Sequence, residues 1–121
     1  MPEAYDGFGA SMLETCLVLE EIGRSLAPSP LLSTLIATEA LLAGAREDAR
    51  ARLLPRVAAG EVVAFVDGTD AVDVLDGDLA TILLVATDDG FYEVDPEAAE
   101  RTWTTSIDQT LRLASVRTST A

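Results

Sequence analysis

Histidine and lysine are both missing from this chain of 121 residues. Without an imidazole there is no Ser-His-Asp triad, imidazole general base or imidazole metal ligand within it. Without a lysine amine there is no Schiff base and no phosphate-binding lysine. All eight bases are arginines, set against 21 acids, and the formal net charge is −13. Such a balance assembles no basic face, which excludes a nucleic-acid backbone or an anionic membrane surface as partner. The single cysteine, Cys16, cannot close an internal disulfide. It falls on an apolar helical stripe, so the expectation is a buried structural thiol in a reducing compartment. As a nucleophile it would lack a histidine partner. The N-terminal MPEAYDGFGAS carries no basic region of a secretory signal. The longest apolar run, Leu31 to Gly44, is too short for a bilayer and contains Glu39. The chain reads as cytoplasmic.

What is present divides near residue 60. Hydrophobic residues make up 49 %, enough for a packed core, but aromatics only 5 %, so that core is mostly Ala, Leu and Val. Before Gly60 the apolar period is helical. Ser11 and Glu14 form a capping box that opens a helix to about Leu26, where APSP at 27–30 stops it. A second helix is expected from about Pro30 to Ala43, with Gly44 at its end. It is apolar nearly all round, so it needs cover on several sides, more than the helices in view supply. A third, about Glu47 to Ala58, turns Leu53, Leu54 and Val57 inward, and Pro55 should kink or shorten it. After Gly60 the pattern is that of strands: 62–66, 72–75, 79–86, 91–94 and 111–116. AspGly at 76–77 and AspAspGly at 88–90 are hairpin signals. The near-continuous apolar run at 81–86 marks a central strand covered on both faces. Pro96 to Arg101 reads as one helical turn. The expected class is therefore α+β: about three antiparallel helices in 1–60, then a small, mostly antiparallel sheet region in 61–121.

Four segments of the helical half form an ordered set: PEAYDGFGAS (2–11), LVLEEIGRSLAPSP (17–30), TEALLAG (38–44) and LLPRVAAGE (53–61). Together they resemble the acyl-CoA dehydrogenase family, with its P-E-x-Y-G-G-x-G turn, V-L-E-E-(I/L)-G-R helix and L-P-x-(I/L/V)-x-x-G-E helix end. Asp6 stands for the first glycine of the pair and tolerates positive φ better than most residues. Gly7 and Gly9 allow a tight loop that Tyr5 and Phe8 can staple to the helix behind Ser11. LDGDLATILLVAT (75–87) and TSIDQTLRLASV (105–116) are similar to late strands of that family's middle β-domain.

The resemblance implies flavin-dependent α,β-dehydrogenation of acyl-CoA thioesters in fatty acid or lipid metabolism. It also implies FAD as cofactor, acyl-CoA as ligand, and an oligomer with a fuller chain of the family. Between Glu61 and Leu75 this sequence is much shorter than the family pattern. Only Thr69 and Asp70 echo the flavin-holding stretch, and no binding role transfers to them. The family's catalytic glutamate lies in a C-terminal helical bundle with no counterpart before Ala121. The expectation is thus a partial chain or subunit not active alone, with no catalytic, cofactor-binding or metal residue assignable. The alternative is a non-catalytic interaction or scaffold protein derived from the family.

Glu20, Glu21 and Glu39 read as solvated-face or capping acids rather than bases, and Trp103 as packing at the domain edge rather than a flavin stack. DGTDAVDVLDGD at 67–78 holds five aspartates. Read as an EF-hand loop from Asp67 it fails, with Thr69 and Ala71 at the third and fifth positions and Asp78 at the twelfth. It reads as a solvated pair of turns around a short strand in preference to a loose cation site. From Asp67 through Asp108 there are twelve acids and one base, Arg101. That concentration points to solubility, edge-strand protection and partner choice.

Overall fold

The computed structural model describes residues 1–119. A short 3-10 turn, Glu3–Tyr5, precedes three helices: α1 (Met12–Ser25), α2 (Leu31–Gly44) and α3 (Glu47–Ala58). Six strands follow: β1 (Val63–Asp67), β2 (Asp70–Leu75), β3 (Ile82–Thr87), β4 (Gly90–Val94), β5 (Ala99–Thr104) and β6 (Leu113–Thr118). They form two three-stranded sheets, β1-β3-β4 and β2-β6-β5. Every pairing is antiparallel except β1 with β3, which run parallel from Val63 opposite Ile82. The class is the α+β arrangement expected.

Strand β3 organises the layers. Ile82, Leu83, Leu84 and Val85 are all buried. Side chains alternate across a strand, so the run splits between two cores. Ile82 and Leu84 pack with Ala37 and Leu41 of α2, Leu53 and Leu54 of α3, and Val63. Leu83 and Val85 pack with Val74, Ala114 and Val116 of the other sheet and with Ala64 and Val66 of β1. The first sheet is therefore sandwiched between helices and the second sheet, as the apolar run implied. Each fully buried Leu or Val contributes on the order of 1.5–3 kcal/mol.

Several expectations need correction. Pro55 does not shorten α3, which continues to Ala58. The acceptor that Pro55 leaves unfilled is the carbonyl of Ala51, an exposed residue that water reaches. The AspGly at 76–77 is not a hairpin: β2 pairs with β6, and the turn carries the chain from one sheet to the other. AspAspGly does close a hairpin, with Thr87 opposite Gly90. The helical turn after Asp95 stops at Ala98, and Ala99–Thr104 is strand β5. Polar residues alternate with apolar ones there too weakly to mark a strand, and pairing along β6 supplies the order.

Helix α1 departs most from expectation. Its capping box forms: Ser11 Oγ accepts from the Leu13 amide at 3.3 Å, and the Glu14 carboxylate accepts from the Ser11 amide at 2.8 Å. Yet no residue of α1 is buried. Thr15, Leu19 and Ile22 are half-buried, while Leu13 is 67 % and Leu17 54 % exposed. Cys16, expected inside, is exposed.

Candidate functional site

The PEAYDGFG turn is built by backbone constraints. Asp6 takes φ 61°, the left-handed conformation its substitution for glycine demanded. Gly7 serves close approach: a Cβ there would lie 2.3 Å from the Met1 carbonyl oxygen. The aromatic staple forms differently from expectation. Phe8 is fully exposed, and Tyr5 turns to α3 instead of α1, packing at the helical core and donating to Glu47 at 2.9 Å. Holding the phenol as donor to Glu47 raises the Tyr5 pKa.

The LLPRVAAGE segment builds the joint between helices and sheet. Gly60, with φ 101°, follows α3; its amide donates to the Val57 carbonyl, and the Glu61 amide reaches back to Arg56. Those two bonds are a Schellman closure. They bring the side chains of Arg56 and Glu61 together as a fork, Nε to Oε1 at 2.8 Å and Nη2 to Oε2 at 2.7 Å. Thr81, just before β3, donates to the same Glu61 carboxylate at 3.0 Å. The arginine hydrogen bond first, then the threonine, lowers the Glu61 pKa below its usual 4.5. Glu93 of β4 bridges Arg52 at 2.5 Å and Arg56 at 3.6 Å. This motif is a lock between layers rather than a reactive centre.

The aspartate run is distributed rather than convergent. Asp70 lies 3.4 Å from Arg117, and Asp78 accepts both Nε and Nη2 of Arg112. Asp76 is buried with φ 54° and accepts from the Ser33 hydroxyl of α2 at 2.6 Å. Thr69 offers its carbonyl to the Thr118 amide at 2.8 Å, so with the Asp70–Arg117 contact this pair of positions staples β6 to the start of β2. Arg101, reaching inward from β5, donates to the carbonyls of Gly77, Asp78 and Ala80. No local signal marks the Ser33–Asp76 bond or the Arg101 clamp, because their partners lie 43 and more than 20 positions apart.

Of the acids considered as bases, Glu20 and Glu21 pair with Arg24 on exposed α1, and Glu39 is exposed on α2. They are not brought together. Trp103 is half-exposed at the end of β5, beside a groove of about 430 Å³ lined by Pro28, Thr105, Thr110 and Arg112. A second groove, about 450 Å³, lies along β2 between Ile36, Phe65 and the aspartate run. Among the described residues no group of three or more His, Cys, Asp or Glu side chains is placed to hold a metal. No helix there is long and apolar enough to cross a membrane.

A helical layer lies on a mixed sheet, entered through a glycine-rich turn and locked to it by an Arg-Glu fork. The model of the acyl-CoA dehydrogenase N-terminal domain matches residues 1–61, half of the chain. The chain belongs to the acyl-CoA dehydrogenase family. Acyl-CoA dehydrogenase IpdE2 of Mycobacterium tuberculosis is 42 % identical over 88 residues, covering 72 % of this chain and 26 % of that protein. Acyl-CoA dehydrogenase IpdE2 of Mycolicibacterium smegmatis is 34 % identical over 116 residues, covering 96 % of this chain and 35 % of that protein. The chain thus spans about a quarter to a third of the curated relatives it matches.

Members of the family generally use FAD, whose pyrophosphate, like the phosphates of CoA, calls for cations or open amides. The residues present fit poorly. Each of the eight arginines already lies within 4.0 Å of a carboxylate. The first turns of α1 and α3 carry Glu14, and Glu47 with Asp48, which occupy or repel where an anion would sit.

Proposed function

We propose that this chain is a structural part of a flavin-dependent acyl-CoA dehydrogenase assembly, not active alone, acting with a fuller chain of the family. In this reading residues 1–60 are the family's helical region and 61–121 a shortened β region. The FAD and acyl-CoA phosphates, and the base that removes the α-proton, belong to the partner. Assembly is in the cytoplasm.

The observation that carries the reading is the bare apolar face of α1. Leu13 and Leu17, one turn apart, are each more than half-exposed with Cys16 exposed beside them, on a helix whose motif is the family's own. Soluble surfaces seldom carry such a patch unless another protein covers it. This chain's contribution would be to bury that face, hold the glycine-rich turn on α3 and keep the layers in register through Arg56 and Glu61. The test is co-expression with a fuller acyl-CoA dehydrogenase chain encoded beside it. A yellow complex that reduces a dye only when acyl-CoA is added supports the reading. Stable complexes without flavin or turnover sink it and leave the second reading, a non-catalytic interaction protein. That alternative has its own support in the eight arginines already committed to carboxylates.

A further inference from the structure

The groove along β2 has a composition that specifies its occupant. Its apolar lining includes Ile36 of α2, 43 % exposed, half-buried Phe65, and Val72, 72 % exposed. Its rim is acidic, formed by Asp67, Asp70 and Asp73. Asp70 is partly offset by Arg117 at 3.4 Å, whereas Asp67 and Asp73 have no ion pair among the described residues. No arginine lines the groove. β1 and β2 are each the outer strand of their sheet. A bulge between Ala71 and Val74, with Asp73 at φ 57°, bends β2 at this point and turns Val72 outward. Charge and bulge are ways an edge strand resists indiscriminate pairing. An aliphatic side chain exposed between them is not.

We propose that this groove docks a segment of a partner polypeptide bearing an aliphatic side chain flanked by arginine or lysine. The apolar lining takes the aliphatic group out of water, and the carboxylate rim selects the sign of its neighbours. A second copy of this chain is a poor occupant. It brings another −13 of net charge, and its arginines are already paired. Anionic ligands meet the same rim. The inference deepens the partner reading above by stating the chemistry of one contact, and it rests on that reading only for there being a partner.

The test uses the full chain and a fluorescein-labelled amphipathic Leu/Lys peptide, followed by anisotropy at low salt. The same peptide with Glu for Lys is the sign control. Asp67→Asn/Asp73→Asn removes the free rim charges, Val72→Ser the exposed apolar side chain, and Glu3→Gln/Asp6→Asn the same charge at the N-terminal turn, which packs on α3 and lines no part of the groove. The expected result is binding of the Lys peptide alone. The rim variant should weaken it about tenfold and Val72→Ser severalfold, with the N-terminal variant within about twofold. Equal weakening by the two charge variants, or no effect of Val72→Ser, would overturn the proposal by showing unspecific attraction to an acidic protein. A dimer in sedimentation velocity that Val72→Ser dissolves would overturn it in favour of a second copy. Val72 is so exposed that its variant should stay folded, so a collapse of the rim variant still leaves a decisive arm. The outcome is separable from the assembly reading, since peptide docking requires no flavin and flavin in a complex requires no groove.

Discussion

At the residue scale, backbone conformation explains motif letters that side-chain chemistry does not. Gly7 faces the Met1 carbonyl so closely that Gly7→Ala must open the turn. The expected cost is about 1–3 kcal/mol in chemical denaturation, typical of forced overpacking. Leu26 is the reverse case. It ends α1 at φ 51°, its amide bonded to Gly23 and the Ala27 amide to Ile22, the position a glycine fills more easily. Leu26 is mostly exposed, so Leu26→Gly should stabilise the chain by roughly 0.5–1 kcal/mol, and a lowered denaturation midpoint would refute the strain. Ser33→Ala should cost about 1–3 kcal/mol, because it strips the buried Asp76 carboxylate of its hydroxyl donor. Asp6 was legible in the sequence because only a few residue types tolerate that φ. Asp76 was not, because its turn signal is identical whether the next strand pairs alongside or crosses to another sheet.

At the element scale, the helices were legible and their burial was not. Ser11 with Glu14, APSP and Gly60 are local signals, and all three helices lie within two residues of where those signals put them. Periodicity marks an apolar face without saying what covers it, which is why Cys16 and the α1 stripe were expected inside and stand outside. The same ambiguity hid β5, whose order comes from β6. The exposure of α1 has a direct consequence. Leu13→Ser/Leu17→Ser should leave the stability of the isolated chain within about 0.5 kcal/mol, as surface changes do, yet abolish complex formation in pull-down. A large loss of stability would show that the face is covered within this chain. The Arg56–Glu61 fork makes a pH prediction. A carboxyl whose pKa is lowered on folding lends stability that is complete above its unfolded value, near 4.5, and is lost as pH falls through the folded value. Glu61→Gln should therefore flatten the decline in denaturation midpoint between about pH 5 and 3. An unchanged acid limb would mean the fork does not persist in solution.

At the scale of the whole molecule, charge placement accounts for what the fold does and does not offer. The acids crowd the strand half and the arginines are consumed in tying layers together, as Arg112 and Arg101 do around the 76–80 turn. What remains is a family scaffold with apolar surface on α1, an acid-rimmed groove on β2, and no free cation to meet a phosphate among its arginines. The family was legible from four motif segments in order. The site was not, because those motifs turn out to serve turn geometry and layer locking. In the reading proposed above, this chain lends structure to a flavoprotein assembly without holding the flavin itself. Equilibrium dialysis of the purified chain against FAD decides the point. Equal flavin on both sides of the membrane is expected, and one equivalent of FAD retained by the isolated chain would refute it.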